Sequence, residues 1–273
     1  MNKSKIDWCD FTWNPVTGCR HTCEYCYARK MANRFGGDTT ENIKSDQIQA
    51  ISYNERTLYT LQQPFKSKDG RTVSFPAGFE PTLHEYRLQL PAQKKKPENI
   101  FVCSMADLFG EWVPDEWIRR VFEACEAAPW HNYLFLTKNP QLLCDIGNAG
   151  WLPNHDNWWY GTSVTKSGDQ MFNGRISDNI FLSIEPLLGS LNTGAACFNR
   201  ARWIIVGAET GNRRGKVTPK REWIENIIKS ARLNHAAVLL KDSKEMRAVW
   251  GDDLIQEIPI GLRKIERGPA PND

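Results

Sequence analysis

Phe11-Thr12-Trp13-Asn14-Pro15-Val16-Thr17-Gly18-Cys19-Arg20-His21-Thr22-Cys23-Glu24-Tyr25-Cys26-Tyr27 is the stretch on which the fold of this chain turns. Phe11 to Asn14 alternates as a short strand does, and Pro15 and Gly18 break it just ahead of the cysteines. From Tyr27 to Phe35 the pattern is helical and closes at Gly36-Gly37, glycine being the common residue past a helix end. The cysteines are therefore expected in a strand-to-helix loop. Cys19, Cys23 and Cys26 are spaced CxxxCxxC, whereas the other cysteines are scattered singly. A packed core has no use for such clustering. A metal site has, because thiolates that converge on one centre must come from a short, sharply wound segment.

Three thiolates are one short of closing a [4Fe–4S] cluster, which leaves one iron with a free face for a small-molecule ligand. Zinc could take the same three cysteines with His21 as a fourth ligand. Zinc ribbons and fingers, however, usually draw their ligands from two separated pairs, and the chain has no second pair. Unligated thiols packed as small hydrophobes are the third reading.

A chain of 273 residues that is 41% hydrophobic and 25% charged can bury a sizeable core, as one large α/β barrel or two smaller domains. A formal charge of +3 is too near balance to argue for nucleic acid or an anionic membrane on charge alone. The opening Met1-Asn2-Lys3-Ser4-Lys5-Ile6-Asp7-Trp8 holds no apolar signal core, and no run approaches the ~18 apolar residues of a spanning helix. A cytoplasmic location without a membrane partner is expected. There, clustered cysteines are more often metal-binding or catalytic than disulfide-bonded.

Apolar runs begin at Ile100, Tyr133, Trp158, Ile180, Trp203 and Ala236, and each interval has room for a strand, a helix and two loops. Most of these runs are apolar throughout, as strands covered on both faces should be. The expected fold is α/β: a partial parallel (βα)6-type barrel with room for a seventh strand at Ala236. It occupies residues 1–267 as a single domain with an insertion at about 38–97, and a disordered tail follows at 268–273. Within the insertion, Asp69-Gly70 predicts a hairpin over Phe65 to Phe75, and Lys94-Lys95-Lys96 reads as a solvated linker. Asp115 is the expected cap of a helix carrying Trp117, Ile118, Val121, Phe122 and Cys125. Thr218 and Pro219 are expected to start another carrying Trp223, Ile227, Ile228 and Ala231.

Reactive groups of α/β barrels sit at the carboxyl ends of the strands. Ser104 and Asp107, Thr137-Lys138, Ser163 and Thr165, Glu185, Glu209 and Lys241-Asp242 fall there in turn. Trp112, Trp158 and Trp159 are aromatic enough to stack bases, although core packing is the commoner use of each.

The loop from Cys19 to Tyr27, CxxxCxYCY, resembles the cluster loop of the radical S-adenosylmethionine (SAM) superfamily. With Met105-Ala106-Asp107, Thr137-Lys138 and Ser163 it is similar to the spore photoproduct lyase-like branch. The whole chain also resembles a phage and prophage protein family, through Trp13-Asn14-Pro15-Val16-Thr17-Gly18-Cys19, Ser104-Met105-Ala106-Asp107-Leu108-Phe109 and Glu185-Pro186-Leu187-Leu188-Gly189. The resemblance implies that Cys19, Cys23 and Cys26 hold a [4Fe–4S] cluster and that SAM chelates the open iron. It implies further that Tyr25 lies against the adenine and that Lys138 and Ser163 contact the methionyl part. Ser104, Asp107, Thr137, Glu185 and Glu209 are the remaining candidates for cofactor contact, and Cys103, Glu185 and Glu209 for catalysis. The glycine-glycine-glutamate motif of many relatives is replaced around Asp107, and Cys103 is near, but not aligned with, the lyase's hydrogen-donating cysteine. Implied partners are an electron donor such as flavodoxin or ferredoxin and a nucleobase or nucleic-acid substrate. A zinc-stabilised nucleic-acid-binding protein and a non-catalytic Fe–S partner subunit are the alternatives.

Overall fold

The strand expected at Phe11 and the six apolar runs after it pair in one sheet of the computed structural model, which describes residues 1–172, 176–195 and 198–263. The order is Asn2–Lys3, Phe11–Trp13, Asn99–Val102, Asn132–Thr137, Trp158–Ser163, Ile180–Ile184, Trp203–Val206, Ala237–Leu240. The first pair is antiparallel and every later pair parallel. The chain is thus α/β with a large, mostly parallel sheet, and among the described residues no pairing joins its edges into a closed barrel. The tail expected at 268–273 lies outside the described residues.

The apolar runs exist because both faces are covered. On the outer face Ile100, Val102, Tyr133, Phe135, Trp158 and Tyr160 pack with Trp117, Ile118, Val121, Phe122 and Cys125 of the helix Asp115–Glu126. Further along, Leu182, Ile184, Ile204, Val206, Val238 and Leu240 pack with Ile224, Ile227 and Ala231 of the helix Arg221–Leu233. Burial of each such side chain contributes about 1.5–3 kcal/mol, so it is this layer that holds helices to sheet. The first helix starts one residue earlier than expected and the second two residues later. Pro114, extended at ψ 142°, is the first N-cap, which puts the carboxylates of Asp115 and Glu116 in the first turn, facing the positive end of the helix dipole. Lys220, extended at ψ 143°, is the second, and Thr218 and Pro219 stay outside the helix.

The inner face curls. Trp8 has its ring centroid 4.6 Å from Phe101, 6.1 Å from Phe181 and 6.3 Å from Trp203. Phe101 and Trp203 belong to strands four steps apart in the sheet order, which in a flat sheet would lie roughly 19 Å apart at about 4.8 Å per strand. One ring touches both because the sheet wraps around it. Backbone bonds fix the segment that carries Trp8: the Asn99 N–H donates to Asp10 Oδ2 (2.8 Å) and the Asp242 N–H to Asp7 Oδ2 (2.7 Å). Asp7 and Asp10 thereby tie the strand Asn99–Val102 and the segment just after Ala237–Leu240 to one strap. Phe181 lies flat on Gly161, where a Cβ would run into its ring.

Residues between the first two parallel strands build a second, four-stranded sheet, in the order Val16–Thr17, Thr82–His84, Arg56–Leu61, Gln49–Tyr53. Its hairpin turns at Asn54-Glu55, both left-handed with φ of 48° and 61°. The hairpin expected over Phe65 to Phe75 is reduced to one bridge, between Lys66 and Thr72. Loops of both sheets back the cysteine loop: the Gly18 N–H donates to Met105 O (2.9 Å), just after Asn99–Val102, and the Cys19 N–H to Phe79 O (3.1 Å), just before Thr82–His84. Gly18, at φ +87°, presses on the Glu80 backbone where no Cβ would fit. Among the described residues no helix is long and apolar enough to cross a membrane.

Candidate functional site

Every second residue of a strand faces inward, and along the inner face apolar residues give way to polar ones at the carboxyl ends. Leu134 and Leu136 lead to Lys138, Trp159 and Gly161 to Ser163, Phe181 to Ser183 and Glu185, and Leu239 to Lys241. Pairing of Ser163 with Ser183 brings these ends level. They open on a cavity of about 370 Å³, lined by Cys19, Cys23, Tyr25 and Cys26 of the loop and by Glu185, Glu209 and Lys241 from the strand ends. That is the size range of small-molecule sites.

The cysteine loop is held by the helix that follows it. Cys26 is the N-cap of Tyr27–Phe35, its sulfur accepting from the Arg29 N–H at 3.3 Å. Arg29 donates to the carbonyls of Cys19 (3.1 Å) and His21 (3.0 Å) and lies over the Phe79 ring. All three loop cysteines are half-buried and free of disulfides. Burial pushes the Cys19 thiol up to about 12, with Asp107 and the other two loop thiols adding to the shift. Among the described residues no three His, Cys, Asp or Glu side chains are close enough to hold one metal ion. His21, the fourth ligand of the zinc alternative, gives its Nε2 to Asp107 Oδ2 at 2.8 Å.

Asp107 is an organiser. Its Oδ1 accepts from Thr137 Oγ1 (2.7 Å) and the Phe109 N–H (3.1 Å), and its Oδ2 from the Lys138 N–H (2.8 Å) as well as His21. Thr137 in turn accepts from the Asn139 N–H (2.8 Å). Asp107 and Thr137 line the cavity with their polar groups already engaged by protein. Their bonds aim Lys138, whose ammonium reaches Ser163 Oγ (3.0 Å) and Tyr25 Oη (3.1 Å). Burial, first among several causes, raises the Tyr25 phenol above its ordinary value.

The other expected residues divide likewise. Ser104 donates to Asn14 Oδ1 (3.2 Å), and its carbonyl accepts from the Tyr27 hydroxyl (2.8 Å). Cys103 touches the cavity, but its buried thiol packs in the outer core and is pushed up to about 12 by burial. Glu209 is clasped by Arg213 at 2.5 and 2.9 Å, and Arg213 also reaches Glu24 in the cysteine loop (3.1 Å). Glu185 pairs with Lys241 at 2.9 Å. Trp112, Trp158 and Trp159 are all core residues. Sequence reasoning missed Ser183, Trp8 and Arg29. Ser183 was within reach by counting two residues on from Phe181; Trp8 and Arg29 act through long-range contacts that leave no local signal.

Residues 3–251 match the family described as "Protein of unknown function (DUF5131)". No curated protein matches the chain. Among solved structures, a spore photoproduct lyase complexed with dinucleoside spore photoproduct is similar at 11% identity and a TM-score of 0.39, over 76% of this chain and 58% of that one. The chain therefore spans less than two thirds of that structure's length.

Proposed function

This chain belongs to the DUF5131 family, and we propose that it is a radical SAM enzyme in which Cys19, Cys23 and Cys26 hold a [4Fe–4S] cluster. One observation carries the reading: the CxxxCxxC loop and the Lys138–Ser163 pair, far apart in sequence, line the same cavity. The donor set fits. Three half-buried thiols on one loop, with Arg29 bracing it, suit a cluster that keeps one iron open toward a cavity of about 370 Å³. When bound, that group supplies one-electron reductive cleavage of SAM. An electron donor such as flavodoxin or ferredoxin would serve it.

The chain's own residues bind and orient. Lys138 offers its ammonium to a carboxylate, a charge-assisted contact, and Ser163 holds that ammonium in place. Tyr25 covers it from the loop side. Ile6, Trp8, Phe101 and Leu136 give the cavity an apolar lining, which keeps water from the part they cover and strengthens the polar contacts beside it. The curled, open sheet is read as the partial barrel of that superfamily, with a nucleobase, free or in nucleic acid, as the substrate held above it. The test is anaerobic reconstitution followed by a search for dithionite-dependent 5′-deoxyadenosine. Its formation is expected; a cluster-loaded protein that never releases it would leave only a partner-subunit role.

A further inference from the structure

On the lining of the cavity, Lys241 Nζ donates to Glu185 Oε2 at 2.9 Å, while Glu185 Oε1 is buried with no hydrogen-bond partner among the described residues. Buried carboxylate oxygens are rarely left so, and each exception asks for an explanation. The pair is pressed onto bare backbone: a Cβ at Gly207 would come within 3.1 Å of Glu185 Cγ and 3.2 Å of Lys241 Cδ. Glu185, first, and Asp7 both stabilise the Lys241 ammonium, so two carboxylates face one cation, and the missing partner is a hydrogen-bond donor. The same cavity is lined by Ile6, Trp8, Phe101 and Leu136, apolar and partly aromatic, and the Trp8 indole N–H has no partner among the described residues either. A flat apolar body with an N–H on its edge complements this lining.

We propose that Glu185 and Lys241 recognise the amino-bearing edge of a purine or pyrimidine base. Glu185 Oε1 accepts from the exocyclic amino group and Lys241 Nζ donates to the adjacent ring nitrogen. The inference deepens the functional reading and rests on it only in taking the cavity for a nucleoside site. The base is either the adenine of SAM or that of a separate substrate, and the chemistry of the edge is the same for both.

Calorimetry on the full chain, handled without oxygen, would compare adenosine with inosine and cytidine with uridine. The wild type is expected to prefer the amino-bearing member of each pair by about tenfold or more, the scale of one hydrogen bond to a charged group. Glu185→Gln can keep its oxygen on Lys241 while turning an N–H toward the ligand, which opposes the amino group while Lys241 still opposes the ring N–H of the other base, so the preference is expected to vanish. An unchanged preference in the variant, or no discrimination by the wild type, overturns the proposal; the wild-type result decides alone if the variant does not fold. Competition with S-adenosylhomocysteine identifies the source: displacement of adenosine assigns the edge to the cosubstrate, and simultaneous binding assigns it to a second base. Iron and sulfide are counted on the same preparation. A cluster without base discrimination sinks this inference alone, and base discrimination without a cluster sinks the cluster reading alone.

Discussion

Replacing Asp107 separates an organising role from a ligand-binding one. In Asp107→Ala the Thr137 hydroxyl and the backbone N–H groups of Phe109 and Lys138 lose their acceptor inside the protein. Each donor stranded in this way costs about 1–3 kcal/mol. Because the donors share one network the losses do not add fully, and about 4 kcal/mol is expected. That is a large fraction of the 5–15 kcal/mol by which typical proteins are stable. Asp107→Asn keeps one oxygen and opposes an N–H to the remaining donors, so roughly half that loss is expected. Urea unfolding measures both, as a fall in midpoint at constant slope. The Asn variant should also bind SAM more weakly, because the bond that aims Lys138 is weakened, while its iron content stays normal. Were Asp107 instead a direct ligand of the SAM amino group, affinity would fall with stability intact. An Ala variant within about 0.5 kcal/mol of wild type would refute the organising role, since only surface changes are usually that mild.

Lys138→Ala removes a charge-assisted contact of about 1.5–3 kcal/mol, so SAM affinity should fall ten- to a hundred-fold with iron unchanged; equal affinity would dismiss Lys138 from the site. Arg213 holds the Glu209 carboxyl below its ordinary value of 4.5, so the stabilisation it gives is present above that pH and is lost as the pH falls through the depressed folded value. Glu209→Gln should therefore be less stable than wild type at pH 7, with the gap in urea midpoint closing in acid; a gap independent of pH would contradict this. Gly161→Ala forces a methyl into the Phe181 ring and should cost about 1–3 kcal/mol, read as a lowered Tm, and an unchanged Tm would show that the ring moves aside freely.

The parallel strands were legible because burial on both faces writes them as unbroken apolar runs: Trp158, Ile180 and Trp203 begin their strands as expected. The helix after the cysteines was legible because Gly36-Gly37 stops it at Phe35. The second sheet was not. Its hairpin turns on Asn54-Glu55 rather than on a glycine pair, and Val16–Thr17 is too short to show a period. Within the site, sequence named Asp107, Thr137 and Glu209 by their place at strand ends. All three line the cavity, and their hydrogen bonds run to the protein as well: Asp107 to Thr137 and the Lys138 N–H, and Glu209 to Arg213, which reaches the loop at Glu24. Such pairings join His21 to Asp107 across 86 residues and Glu24 to Arg213 across 189, and no local pattern encodes them.

The central claim is that one loop's three thiols hold an iron–sulfur cluster. Iron, sulfide and zinc should be counted on oxygen-free protein, wild type beside Cys23→Ala. About four iron and four sulfide per chain are expected in the wild type, and neither in the variant. One tightly bound zinc without sulfide, or a variant that retains its full iron, would contradict it.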